Sequence, residues 1–458
     1  MDWNSAPVNA SLTKAQFASA VSAAEIHVTR ERLVELCTQL IETPSSTGNE
    51  GPLAALIAGV LRDCSGHGEI QRLDDRQANA WGRIAFRRPT TGRVVMLYSP
   101  IDTVTSGRST DDLPWAAEPS GSHFAGHQVN SAEVNGDVIT GLGAMNPKGH
   151  ATCVLMAFEA IARAGVEFPG EVIAAFGAGG MPTFALADPS DPMRRQHTGH
   201  GVGCSFLVER GVWADAAVIA KSGWTVSTEE VGLAWCDVVV RGTHTYVGAR
   251  HRLPYRNAIA DAATIVGHLE HWFPNRAERH RSGTLLPQGV VASINAGSDR
   301  TAAFTPAEAR LRVDLRIGHD QSPLDAKREL EDELATLRAA HDGLDAEVEL
   351  VAGIPSSSTS LSHWLSTAAI DSWEAVAGRR HQPPTEQSGA TDANILRQRN
   401  IPTVRVGLPK AASIDGSELA FSAGMNTVSV ASMVDLTRVL IRLALATAGQ
   451  NRDAMCGE

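Results

Sequence analysis

The segment Arg93–Ser99 reads Arg-Val-Val-Met-Leu-Tyr-Ser, and its unbroken apolar centre restricts the fold more than any other stretch. A strand with one wet face alternates apolar and polar residues, whereas a short continuous run fits a strand covered on both faces. Further strands are expected at Glu171–Phe176 and Ala216–Ala220, separated by helical patterns at about residues 149–164 and 202–210. Strands that alternate with helices form a mostly parallel sheet with helices on both faces. Ahead of them, Thr29 is placed to cap a helix whose Leu33, Leu36, Cys37, Leu40 and Ile41 share a face and which stops before Pro44. A second helix spans about residues 52–62.

The pattern changes at Leu233–Gly242, where Trp235, Asp237, Val239 and Arg241 mark the alternation of an exposed edge strand. A helix (258–272), two strands (289–296 and 309–317) and a charged helix (323–340) follow, which together make a separate open sheet with two helices. After Gly353 the first pattern resumes with a helix at 361–376, a loop at 388–394, a strand at 403–407 and a final helix at 433–445. The expected fold class is α/β: a mostly parallel central sheet with helices on both faces, plus an inserted smaller α+β domain. Residues 1–230 are the first part of the main domain, with 1–28 as an extra N-terminal segment; 231–353 are the insertion and 354–458 the second part.

The formal net charge of -11 argues against sequence-independent nucleic-acid binding, which needs clustered positive charge, and leaves small molecules as the expected partners. Cys37, Cys64, Cys153, Cys204, Cys236 and Cys456 lie far apart without a C-x-x-C pair. Reduced, mostly buried thiols are therefore expected, rather than a disulfide framework or a zinc knuckle. The longest apolar run, Leu53–Leu61, falls short of the ~18 residues that span a bilayer, and Met1–Lys14 lacks a charged lead and apolar centre. A cytoplasmic chain with no membrane partner is expected. His197, His200, His244, His271, His280 and His381 show no H-E-x-x-H spacing, and Gly141 and Gly143 open neither a dinucleotide fingerprint nor a P-loop.

After the first apolar strand come Pro100-Ile101-Asp102-Thr103-Val104, then Trp115 and Pro119, Asn135-Gly136-Asp137-Val138-Ile139, and Gly141-Leu142-Gly143-Ala144-Met145-Asn146-Pro147-Lys148-Gly149. Asn257-Ala258-Ile259, Ser388-Gly389-Ala390-Thr391-Asp392-Ala393 and Ile401-Pro402-Thr403 follow in order. From Arg30 to Leu445 this series resembles the family of co-catalytic zinc hydrolases that includes acetylornithine deacetylase, succinyl-diaminopimelate desuccinylase, aminoacylase and carboxypeptidase G. In that family the first strand ends in G-H-x-D-x-V, the histidine binding metal and the aspartate orienting it; here Asp102 is kept and Pro100 replaces the histidine. The G-x-G-A-x-D-x-K-G loop keeps Gly141, Gly143, Ala144, Lys148 and Gly149, with Asn146 in place of the bridging aspartate. Two glutamates, a general base and a ligand, end the next family strand, where Phe176 leads instead into Gly177-Ala178-Gly179-Gly180-Met181. Lys221 takes the place of a ligand carboxylate and Tyr246 that of the histidine in G-x-x-x-H, and no histidine lies within Ser422–Asn426.

A pair of zinc ions needs deprotonated carboxylates and imidazoles at ~2.0–2.2 Å. These replacements remove negative charge and add positive, so no di-zinc centre is expected at the usual positions. One weakly bound divalent metal stays open if Asp102, His150 and one of Glu229 or Glu230 converge. The candidate catalytic residues are Asp102, Asn146, Lys148, His150 and Lys221. Lys221 either pairs with Asp102 and serves as base or nucleophile once desolvated, or reaches solvent along its aliphatic stem. Lys148 either joins the site or is a structural lysine at a helix start. His150 is either a proton-transfer group or a packed side chain.

Arg250, His251, Arg252 and Arg256, beside Tyr246 and Asn257, form a basic cluster suited to a carboxylate, with a subunit interface as the rival role. The resemblance adds Asn257 and Arg316 as grips on a substrate carboxylate, although Asp314 is a competing partner for Arg316. Ser388, Gly389 and Thr391 complete the substrate-binding set, and Asp392 is expected to cap the helix after it. The implied activity is cleavage of a C–N bond in a small carboxylate-bearing, anionic substrate by a hydrolase-like enzyme without the usual di-zinc centre. The alternatives are an aromatic aminohydrolase resembling 5-nitroanthranilate aminohydrolase, with one labile metal, and a non-catalytic homologue that binds a small molecule. A homodimer through the inserted lid domain is also implied, its strand around Trp235–Arg241 pairing edge to edge.

Overall fold

The computed structural model describes residues 11–85, 91–108, 110–112, 128–185, 198–411 and 419–451. Trp115, Pro119, His197, Cys456 and the first ten residues of the N-terminal segment lie outside them. The chain divides into two compact units. One takes the described residues up to Thr228, then Thr359–Pro383 and those from Thr391 onward; the other takes Glu229–Ser358 and Pro384–Ala390.

The first unit opens with helices α1 (Lys14–Glu25), α2 (Arg30–Glu42) and α3 (Gly51–Ser65). Thr29 caps α2, its hydroxyl accepting from the Arg32 amide at 3.2 Å, and the face carrying Leu33, Leu36, Cys37, Leu40 and Ile41 is fully buried. Strands β1 (Glu69–Arg72), β2 (Ala78–Ile84) and β3 (Val94–Pro100) follow, then the antiparallel pair β4 (Glu133–Asn135) and β5 (Val138–Thr140). Helix α4 (Lys148–Ala164), strand β6 (Glu171–Gly177), helix α5 (Val202–Glu209) and strand β7 (Ala216–Ala220) complete this stretch.

The second unit holds β8 (Glu229–Glu230), β9 (Gly232–Arg241), α6 (Ala258–Arg279), β10 (Gly289–Ala296), β11 (Glu308–Ile317), α7 (Pro323–Ala340), β12 (Asp345–Ile354) and β13 (Ser357–Ser358). Its four-stranded sheet has the order β10-β11-β9-β12, antiparallel throughout. The strand expected to be an edge is thus central: β9 bonds to β11 on one side and β12 on the other. Its outward Asp237 is buried under Arg310 and Arg312, and the Arg312 guanidinium also lies over Trp235. Edge-to-edge pairing through Trp235–Arg241 is excluded, because both of its hydrogen-bonding sides are taken. Helix α6 continues past Pro274, which sits on an exposed face of the helix. The short segment Pro384–Ala390 joins this unit through backbone bonds: the Gln387 amide donates to Thr284, and the Leu286 amide to Gln387.

Back in the first unit come α8 (Trp364–Ala377), α9 (Ala393–Gln398), β14 (Thr403–Val406), α10 (Phe421–Met425), β15 (Thr427–Ser429) and α11 (Val430–Ala448). The main sheet runs β1-β2-β6-β3-β7-β14, with β6, β3, β7 and β14 parallel and β2 and β1 antiparallel at one edge. Successive residues of β3 enter two different cores. Val95 and Leu97 pack with residues of α2, α3, α4 and α11, while Met96 and Tyr98 pack with residues of α5 and α9. A strand buried from both sides needs apolar residues at every position, which is why Arg93–Ser99 carries no polar alternation. No helix among the described residues is long and apolar enough to cross a membrane.

Candidate functional site

Strands β3, β6 and β7 are parallel neighbours, and they bring Pro100, Gly177 and Ala220 to the same edge of the sheet. Sites in open α/β sheets gather beyond such carboxyl ends. Asp102 lies two residues past β3, the turn Gly179–Met181 follows β6, and Lys221 directly follows β7. The turn is bare for a steric reason. Gly179 has φ of +60°, and a Cβ there would come within 2.0 Å of the Thr198 carbonyl oxygen. A Cβ on Gly180 would lie 2.4 Å from the Pro100 Cβ and 2.9 Å from Asp392 Oδ2. Stripped of side chains, the turn presents consecutive N–H groups, the makings of an anion-binding concavity.

Two carboxyl groups fill it. Asp102, fully buried, accepts from the Gly180 amide at 2.8 Å on Oδ1, and from the Met181 amide at 3.1 Å and the Thr47 hydroxyl at 2.7 Å on Oδ2. Burial pushes this carboxyl above its ordinary range, and the Thr47 hydroxyl, the Lys221 charge and the two amides bring it part of the way back. Glu50, also fully buried, accepts on Oε1 from the Gly48 and Gly179 amides, each at 2.9 Å, and from Gln77 Nε2 at 3.3 Å. Its Oε2 has no hydrogen-bond partner. Burial, then the neighbouring Asp102 charge, push the Glu50 carboxyl up to about 8. Lys221, only 9% exposed, brings Nζ to 3.4 Å from Met181 Sδ, and its charge is felt at both Asp102 and His150.

The other residues singled out near these strand ends turn elsewhere. Lys148 is fully buried and donates to the carbonyls of Ile41 at 3.2 Å and Thr43 at 2.9 Å, tying off the end of α2; burial lowers its ammonium to about 7. These bonds fit the structural role of a lysine at a helix start. His150 is fully buried, with Nε2 accepting the Leu408 amide at 3.1 Å. Burial, then the Lys221 charge, lower it to about 3, and the ring anchors the chain after β14. Asn146 directs Nδ2 to Met425 Sδ at 3.3 Å and leaves Oδ1 buried without a partner. Asp392 starts α9 without a side-chain capping bond, contrary to expectation; its Oδ2 accepts the Tyr98 hydroxyl.

In the second unit, Arg256 is committed to Asp261 at 2.6 Å and to the Asp342 carbonyl at 2.6 Å. Asn257 caps α6 by accepting the Ile259 amide at 3.0 Å, and Arg316 pairs with Asp314 at 3.0 Å, the competing partner named from the sequence. Ser388 accepts the Gln288 amide at 3.0 Å. Glu229 is held below the usual carboxylate range, against its partial burial, by Thr284 and His319. Arg250, over the Tyr255 ring at 4.4 Å, stays exposed, as do His251 and Arg252. Tyr246, half exposed, lies 5.4 Å from Phe304, ring to ring. Thr391 belongs to the first unit and Gly389 to the second, so the predicted substrate loop is split between them. No group of three or more His, Cys, Asp or Glu side chains among the described residues is disposed to hold a metal ion.

Glu50 was not legible as a site residue. It precedes Gly51-Pro52 at a helix start, where an acid is ordinary, and only the fold brings its carboxyl to the turn after β6.

A family model described as peptidase family M20/M25/M40 matches residues 96–446. The succinyl-diaminopimelate desuccinylase of Rhodopseudomonas palustris (strain HaA2) is 23% identical over 393 residues, covering 82% of this chain and 90% of that protein. Among solved structures, the di-peptidase Dug1p from Saccharomyces cerevisiae is similar with a TM-score of 0.66 at 12% identity, covering 94% of this chain and 98% of that one. Human carnosine dipeptidase 1 is similar with a TM-score of 0.65 at 14% identity and the same two coverages.

Proposed function

The chain belongs to peptidase family M20/M25/M40, whose members hydrolyse amide and peptide C–N bonds, and on that premise we propose a hydrolase that cleaves such a bond in a small carboxylate-bearing molecule without the family's paired metal ions. The observation that carries this reading is Lys221, a nearly buried cation beside the Asp102 carboxylate at the end of β7. A metal pair fits these residues poorly. The two Asp102 oxygens together already accept three hydrogen bonds, His150 Nε2 is used by the Leu408 amide, and the turn after β6 offers N–H donors where metal would require carboxylates. The Lys221 ammonium, whose charge acts on Asp102, supplies fixed positive charge, which stabilises the oxyanion that forms when water adds to an amide carbonyl. Lys148 and His150 are positioning residues in this scheme.

In the second unit the exposed Arg250, His251 and Arg252 are the cations suited to the substrate carboxylate, since Arg256 and Arg316 have carboxylate partners of their own. We place the homodimer contact on β10, an edge strand whose Val290 and Ile294 are 47% and 50% exposed. Free cysteines among the described residues, four of them buried, support a cytoplasmic setting. A binding protein that kept the fold and lost the chemistry is the second reading, favoured by the complete burial of Asp102.

The test is turnover of a panel of N-acyl amino acids and dipeptides by the native chain, Lys221→Met and Asp102→Asn, with elemental analysis of the same preparations. The expected result is turnover that survives chelation and is lost in both variants. Two tightly held zinc ions per chain, or native turnover in both variants, would overturn it.

A further inference from the structure

Asp102 and Glu50 share one backbone turn but are not equivalently bonded. Each Asp102 oxygen accepts at least one hydrogen bond, three in all, and two of the donors are backbone amides, which have no lone pair to offer a protonated oxygen. Both oxygens of this carboxyl are therefore engaged as acceptors, and Lys221 supplies opposite charge. Glu50 concentrates its donors on Oε1 and leaves Oε2 fully buried with none. A bare negative oxygen there costs far more in an apolar interior than an unmatched neutral hydroxyl does. Two anions side by side against a single lysine add repulsion to that cost.

We propose that Glu50 is a positioning residue that carries a proton on Oε2, so that Asp102 alone is ionised and the strand ends hold one anion and one cation, Asp102 and Lys221. The rise of the Glu50 carboxyl to about 8, caused by burial and then by Asp102, agrees with this assignment. The ionisable groups around it are Asp102 after β3, which faces Glu50 itself, and Lys221 after β7, which faces Asp102. Tyr98, on β3, donates to Asp392, and burial, then the Asp392 charge, keep its hydroxyl protonated; neither residue hydrogen-bonds Glu50. Gln77 contributes a neutral donor. Losing the Glu50 proton places a second anion beside Asp102, and Lys221 can no longer neutralise the group. The consequence for turnover rests on the hydrolase reading above; the charge assignment does not.

The experiment is infrared difference spectroscopy of the full chain titrated between about pH 6 and pH 10, following the C=O stretch of a neutral carboxylic acid. The native chain is expected to show such a band at neutral pH and lose it on alkalinisation. Glu50→Gln should lack it, and Asp102→Asn should retain it to a different pH, because the neighbouring charge is gone. Glu50→Gln keeps the acceptor for the Gly48 and Gly179 amides, so it should fold with a near-native Tm at acid pH and a higher Tm than the native chain at alkaline pH. If the chain turns over substrate, this variant should keep KM and flatten the alkaline limb of kcat. Absence of the neutral-acid band in the native chain, or its survival in Glu50→Gln, overturns the proposal even if the variants unfold. A band that behaves as expected in a chain without turnover upholds the proton assignment and rejects the hydrolase reading instead.

Discussion

Charge is handled in opposite ways in the two units. At the strand ends of the first, Asp102 and Glu50 are fully buried and are held by backbone amides and a hydroxyl, with Lys221 the nearby cation. In the second, apart from the buried Asp237 and Arg276, the charged side chains lie nearer the surface and pair with one another. Arg310 reaches Asp237, Glu308 and Glu349, and Arg241 reaches Glu347 across the sheet. A buried charge without its partner has nowhere to go, whereas a surface charge that loses one falls back on water. The same kinds of residue are therefore decisive in one unit and nearly neutral in the other.

The contrast should be sharpest for Asp102→Ala. It removes the anion whose charge offsets Lys221 and takes the acceptor from the Thr47 hydroxyl and two amides, and a loss of about 3–5 kcal/mol is expected in urea unfolding. A loss under about 1 kcal/mol would mean that the site is wet and the contrast false. Acidity separates the buried Glu50 from the paired carboxylates of the second unit by sign. The Glu50 carboxyl titrates at about 8 when folded and at the ordinary 4.5 when unfolded, so the folded chain holds a proton that the unfolded chain has released. Its contribution is fully present below 4.5 and is lost as pH rises to about 8, with a limiting slope of about 1.4 kcal/mol per pH unit. Glu329 and Glu229 in the second unit are depressed, so their contribution is present above 4.5 and is lost as pH falls through their folded values. Tm measured against pH in the native chain and Glu50→Gln isolates the first effect.

Gly180→Ala comes next. Its Cβ meets Pro100 and Asp392 too closely to fit, and a loss of about 1–3 kcal/mol is expected by thermal unfolding, with weaker turnover if the turn holds the working carboxylate. The smallest effect belongs to Arg310→Ala, whose partners are mostly exposed. Its cost is expected to be about 0–1 kcal/mol and to shrink in salt, and a salt-insensitive cost of several kcal/mol would break the comparison from the other side.

Much of the frame was legible because burial on two faces leaves a direct trace in the chain. Ala216–Ala220 and Pro323–Ala340 fall where their patterns put them. The alternation at Trp235–Arg241 misled because it reports that the faces of a strand differ, and says nothing of whether its hydrogen-bonding sides are free. The antiparallel strands β1 and β2 and the charged β12 left no comparable trace. For the site, residue type was readable and direction was not. Lys148 and His150 start the same helix as the loop that carries Asn146, yet one ties off α2 and the other the chain after β14.

The sequence by itself determined the family, the layered α/β architecture and the presence of Asp102 and Lys221 at the ends of buried strands, because these depend on local apolar pattern and on residue order. Only the tertiary structure decided that Glu50 shares the turn after β6 with Asp102, that Arg256 and Arg316 are already paired, and that β9 lies inside its sheet. Those outcomes depend on which groups meet across long stretches of chain, and hydrogen bonding, desolvation and ionisation are set by such meetings rather than by the residues one at a time.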